Sequence, residues 1–121
     1  MFSGALIMES LRAGTRLPDL NVTVREIYRF RPEGTAAYQP DTWSVVELEV
    51  SDADAPTLAE ALAGVLDQPG WYVAFRSPVE TYIVFPSRVF RYTRGDEAGR
   101  AEAQAHGRTV GVPERQLDWR Y

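Results

Sequence analysis

The stretch WYVAFRSPVETYIVFPSRVFRY, Trp71–Tyr92, decides the fold. It reads as three short strands, Trp71–Phe75, Thr81–Phe85 and Val89–Tyr92, punctuated by Ser77-Pro78 and Pro86-Ser87. Turn residues at such short intervals between β-branched and aromatic runs predict sequential antiparallel pairing. Aromatic side chains stand on both parities: Trp71, Phe75, Phe85 on odd positions and Tyr72, Tyr82, Phe90, Tyr92 on even ones. Alternate residues of a strand point to opposite faces, so some of these rings must cover a second sheet face or stand exposed.

Upstream lie two longer alternating stretches. Between Leu20 and Phe30 the even positions are mostly apolar (Leu20, Val22, Val24, Tyr28, Phe30), and Trp43–Val50 alternates again. Each has the period of a half-buried strand, and Pro32, Gly34 and Pro40 mark the loop between them. In a regular hairpin Arg25, Arg29 and Arg31 would share one face with Glu47 and Glu49. Opposite charges across a strand pair stabilise it by roughly 0.2–1 kcal/mol each, so this arginine row has a structural explanation.

Helices fill the remaining intervals. Ser51-Asp52-Ala53-Asp54-Ala55-Pro56 supplies capping acceptors and a first-turn proline, and Leu58, Leu62, Val65 and Leu66 follow at helical spacing. Gln68-Pro69-Gly70 ends that helix. Asp96 caps a second helix running to about Val110, which Gly111-Val112-Pro113 stops. Gly99, Ala103 and Gly107 give it a face of small residues suited to close packing, and Pro113–Trp119 is expected to return Leu117 and Trp119 to the core. The expected fold is α+β: an antiparallel sheet of about five strands, in the order β-β-α-β-β-β-α, with two helices packed on one face.

Residues 1–14 are expected to be a loosely ordered arm or a short docking helix, with Met8 as a second candidate start, and residues 15–121 a single domain. The apolar patch Ala5-Leu6-Ile7-Met8 is too short for a secretory core or for the roughly 18 residues of a membrane span. A cytoplasmic location is the expectation.

Composition narrows function by subtraction. The chain has 121 residues, no cysteine, one histidine (His106) and a net charge of −4. Zinc–thiolate sites, iron–sulfur clusters, disulfides and cysteine nucleophiles are thereby excluded. All thirteen basic side chains are arginine, which codon usage in a GC-rich genome explains as readily as selection for guanidinium forks. No Gly-x-Ser-x-Gly elbow, Walker lysine or dinucleotide fingerprint is present. The spacing of the carboxylates suggests no metal site, and no cofactor is expected.

The C-terminal half resembles small bacterial proteins of unassigned activity. The likeness rests on Gly70-Trp71-Tyr72, the Val84-Phe85 to Val89-Phe90 hairpin and the ending Gly111-Val112-Pro113-Glu114-Arg115-Gln116-Leu117-Asp118-Trp119. It covers roughly the last 50 residues and implies a shared fold, with no catalytic residue to carry over.

The densest functional signal is a set of arginines among the meander aromatics. Trp71, Arg76, Tyr82, Arg88, Arg91 and Arg94 form the candidate ligand-binding set. Such residues can hold an aromatic or acidic ligand, or bind single-stranded nucleic acid, which the negative net charge disfavours. They are explained equally by exposed arginines pairing with Glu80, Asp96 or Glu97, or lying over rings. The expected function is a small binding or interaction domain, homodimeric through its sheet. The alternatives are a ligand-sequestering or accessory protein of a specialised metabolic pathway, and an enzyme relying on Arg76, Glu80, Arg91 or His106. No catalytic residue is assigned.

Overall fold

A computed structural model describes residues 1–121. Six strands form one antiparallel sheet: β1 Phe2–Ile7, β2 Val22–Phe30, β3 Trp43–Val50, β4 Val73–Arg76, β5 Glu80–Phe85 and β6 Arg88–Thr93. Their spatial order is β2-β3-β1-β4-β5-β6. Helix α1 spans Ala55–Ala63 and α2 spans Glu97–Thr109. The α+β class and the antiparallel sheet are therefore present, with one strand more than expected.

The additional strand comes from the segment expected to be an arm. Phe2–Ile7 is no arm and no helix; it lies between β3 and β4 and pairs with both. Phe2 and Leu6 point into the main core, and the rings of Phe75 and Tyr82 meet that of Phe2 edge-on at 6.1 and 5.2 Å. Gly4 is required at the crossing, because a Cβ there would lie 2.4 Å from the Ala74 carbonyl oxygen. The partners of β1 lie some 40 and 70 residues away in the chain, so no local turn signal announces the strand. A 3₁₀ turn at Met8–Ser10 then leads away from the sheet. The backbone N–H and hydroxyl of Ser44 donate to Glu9 at 2.6 and 2.9 Å, clipping this turn to β3.

The two helices do not share a face. Tyr82 and Val84 of β5 join the core beneath α1 with Leu58, Leu62 and Leu66. Ile83 and Phe85, the intervening residues, join a second core beneath α2 with Phe90, Tyr92 and Ala103. Both parities of β5 are apolar, so each face of that strand needs its own cover. The mixed parity of the meander aromatics is the sequence signature of this arrangement.

Capping of α2 follows the sequence, whereas at α1 Asp54 makes no side-chain cap bond and the helix ends at Ala63, before Gln68-Pro69-Gly70. Asp96 accepts from the N–H of Gly99 at 3.0 Å, and Gly111 takes the left-handed conformation (φ +86°) that ends α2. Gly107 lets α2 approach closely: a Cβ there would meet Leu117 at 2.7 Å and Phe85 at 3.3 Å. The tail after α2 makes a 3₁₀ turn at Glu114–Gln116 and buries Leu117 and Trp119. Gln104 fixes it by donating to the carbonyls of Leu117 and Trp119, each at 3.1 Å.

The hairpin of β2 and β3 departs from regular pairing. Thr23 lies opposite Glu49 and Val24 opposite Leu48, but Glu26, not Arg25, lies opposite Glu47. A bulge at Arg25 accounts for the shift and turns the rest of β2 over. Tyr28 and Phe30 move to the α2 side, where Phe30 meets Trp43 edge-on at 6.0 Å. The expected arginine row is broken as a result. Arg25 still pairs with Glu49 at 2.9 Å, whereas Arg29 moves to the other face and donates to the Ser44 hydroxyl at 3.1 Å. Arg31 lies beyond the end of β2.

Candidate functional site

Only part of the α2 face is covered. Over β5 and β6 the residues are large, and α2 with the C-terminal tail packs on them. Over β1, β3 and β4 the same face presents Ser3, Ala5, Ala74, Glu47 and Glu49. Small side chains at the centre of a sheet, ringed by large ones, leave a depression. The result is a half-open cleft of about 730 Å³. Trp43, Trp71 and Tyr72 close one end, and the tail residues Arg115, Gln116, Asp118 and Tyr121 form a wall.

That wall is held by directional bonds. The Tyr72 hydroxyl donates to the Gln116 carbonyl at 2.6 Å, and burial, with smaller contributions from Tyr121 and Asp118, raises its pKa well above the ordinary phenol value. Buried Gln39, from the β2–β3 loop, exchanges amide hydrogen bonds with Gln116 at 3.0 and 3.3 Å. Tyr38 in the same loop donates to the Gly111 carbonyl. Trp43 and Trp71 pack at 5.2 Å, both largely buried, so they brace the end of the cleft. At the far end the Arg76 guanidinium lies 3.9 Å from the centre of the Tyr121 ring.

The structure divides the residues singled out from the sequence. Trp71 and Arg76 line the cleft. Tyr82 is buried on the opposite face, where Arg91 lies across the strand from it and 5.1 Å from its ring. Arg91 forms a two-pronged bond with Glu80 at 2.7 and 2.9 Å, which holds the Glu80 carboxyl below its usual pKa. Arg88 sits 4.6 Å from the ring of Phe90, and Arg94 is exposed in the turn after β6. Alternation along β6 scatters these arginines, so the six residues do not form one site. Glu80 and Arg91 satisfy each other away from the cleft, and His106 is on α2. The cleft residues that sequence reasoning missed are Ser3, Ala5, Glu47, Ala74, Asp118 and Tyr121. Only the contrast of small residues with neighbouring aromatics could have suggested them, and it emerges only once β1 is placed.

His106 is packed against Phe85 and Phe90, with ring centres 4.9 and 5.4 Å away. Burial lowers its pKa below 6.5, the charge of Arg88 adds to this, and its buried Nε2 has no partner. The desolvation outweighs the attraction of the helix C-terminus for a cation. A base whose folded pKa is depressed binds its proton more readily when unfolded. Stability should therefore be complete above the unfolded pKa of about 6.5, fall as pH drops through the folded value, and level off below it. Denaturant titrations at about pH 7.5 and about pH 5.5 should show this loss, and His106→Gln should remove most of it. An unchanged pH dependence in the variant would show that His106 is not its source.

No group of three or more His, Asp or Glu side chains is placed to hold a metal ion, and no helix is long and apolar enough to cross a membrane. Comparison with family models, curated proteins and solved structures finds no match to this chain.

Proposed function

We propose that the protein is a binding domain whose ligand occupies the cleft between the open half of the sheet and the C-terminal tail. The observation that carries this reading is the floor of Ser3, Ala5 and Ala74 beneath a wall tied down by Tyr72, Gln104 and Gln116. A fold that only needed a core would place larger apolar residues there, as it does on the same face over β5 and β6. The cleft instead keeps a size typical of small-molecule sites, with a few polar groups around a shaped floor.

Self-association through the sheet is less well supported. The edge strand β2 exposes Ile27 (70%) and Val24 (50%). It also carries a bulge and the charges of Arg25, Glu26 and Arg29, the devices that protect an edge from strand addition.

The test is a protein-observed NMR screen with a fragment set spanning aromatic acids, amines and guanidines. Hits should cluster on the amides of Ser3, Ala5, Glu47, Ala74 and Tyr121. Filling the floor with Ala74→Trp should abolish them while the folded spectrum persists. Hits confined to other surfaces, or no hits, would remove the reading.

A further inference from the structure

We infer that the middle of the cleft takes a planar cation, a guanidinium group, on the carboxylate of Glu47. The inference rests on the cleft being the binding site and names what binds there.

The argument starts from the bulge in β2. Continuing the pairing of Thr23 with Glu49 and Val24 with Leu48 would set Arg25 opposite Glu47. The bulge instead delivers Arg25 to Glu49 and sets Glu26 opposite Glu47. Like charges directly opposite in an antiparallel pair are destabilising. The Phe30–Trp43 contact gives the shifted register a packing reason, yet it supplies no cation to Glu47.

Glu47 is left with one neutral donor, the Tyr28 hydroxyl at 3.2 Å, and no arginine within ion-pair distance. Three other carboxylates, Glu49, Glu80 and Glu114, are each paired with one of the chain's own guanidinium groups, and of these Glu49 is Glu47's neighbour on the same cleft face. Glu47 is also half-buried on the cleft floor, beside Ala5 across the strand pair. The space above it is open, and Asp118 lines the same cleft from the tail.

The cleft's own arginines do not fill this position. Arg25 is held by Glu49, and Arg76 lies on Tyr121. Arg115 packs at the rim against Gly34, where its Cδ lies 2.7 Å from the position of an added Cβ. Arg76 and Arg115 are exposed and Glu47 is half-buried, so the floor carboxylate, less screened by water, decides the charge of the guest. A guanidinium fits better than a compact ammonium because its fork engages both carboxylate oxygens and its plane can slide between the sheet and the tail.

The experiment titrates the intact protein with butylguanidinium, N-acetylarginine amide and N-acetylglutamate amide, followed by NMR. Both guanidinium compounds should shift the amides of Ala5, Glu47 and Ala74 saturably, and Glu47→Gln should weaken binding at least tenfold. In the absence of any compound, Glu47→Gln and Glu26→Gln should each raise Tm, which shows that the unpaired charges are a cost and that the variants fold. If the capped arginine binds more than tenfold tighter than butylguanidinium, the guanidinium comes from a polypeptide; equal affinity indicates a small guanidine. Shifts caused only by the glutamate compound would overturn the cation assignment and leave the cleft as a binding site. Equal guanidinium binding by Glu47→Gln would also overturn it. Failure of all three compounds, together with an empty fragment screen, would remove the site itself.

Discussion

Deleting residues 1–7 is expected to abolish cooperative folding. β1 is the strand that joins the β2–β3 hairpin to the β4–β5–β6 meander, and no other strand pairs with both. Its removal exposes the inner edges of β3 and β4 and takes Phe2 and Leu6 out of the core. Truncating buried phenylalanine and leucine side chains costs about 3–5 and about 2–5 kcal/mol. A domain of this size is stable by about 5–15 kcal/mol in total, and the lost strand pairing adds to the deficit. Initiation at Met8 would produce this truncated chain. Far-UV circular dichroism on heating should show a sigmoidal transition for residues 1–121 and a featureless slope for 8–121. A cooperative melt of the shorter chain within a few degrees of the full one would refute the structural role given to β1.

Trp119→Ala is expected to have the next largest effect, about 3–5 kcal/mol of lost stability. Its indole is buried, packs 5.0 Å from the Tyr72 ring and donates to the Tyr92 hydroxyl at 3.1 Å. Tyr92 in turn donates to the main-chain oxygen of Tyr121 at 2.7 Å. One side chain thus anchors the tail to both the sheet and the second core. The substitution should lower the urea midpoint strongly and loosen Asp118 and Tyr121, so that Arg76 loses the ring it lies on. Trp119→Phe keeps most of the packing and should cost far less. A loss below about 1 kcal/mol for the alanine variant would mean that the tail is held without the indole, by Leu117 and the bonds of Tyr72, Gln39 and Gln104.

Much of this fold was legible because its signals are local. The two proline-marked turns at Ser77-Pro78 and Pro86-Ser87 separate β4, β5 and β6. The alternation of Trp43–Val50 and the cap at Asp96 likewise report structure formed within a few residues. The candidate site was much less legible. Of the residues singled out by sequence, Trp71 and Arg76 line the cleft, but Tyr82, Arg88, Arg91 and Arg94 do not. Proximity in sequence grouped these arginines, and alternation along β6 separates them between two faces.

The bulge at Arg25 is the clearest case of a feature hidden from periodicity. Both registers of β2 against β3 satisfy an alternating pattern, and they differ only in which face receives Tyr28 and Phe30. Phe30 meeting Trp43 favours the shifted register, a contact between residues thirteen apart that exists only once the hairpin has closed.

The sequence by itself determined the class, the short strands and turns, both helices and the return of Leu117 and Trp119 to the core. Each depends on spacing, capping or turn chemistry that acts over a few residues. Tertiary structure alone decided that Phe2–Ile7 is a central strand, that the helices cover opposite faces, and that Glu47 lines the cleft with no arginine in ion-pair contact. Those outcomes depend on pairing between segments far apart in the chain and on which faces remain to be covered.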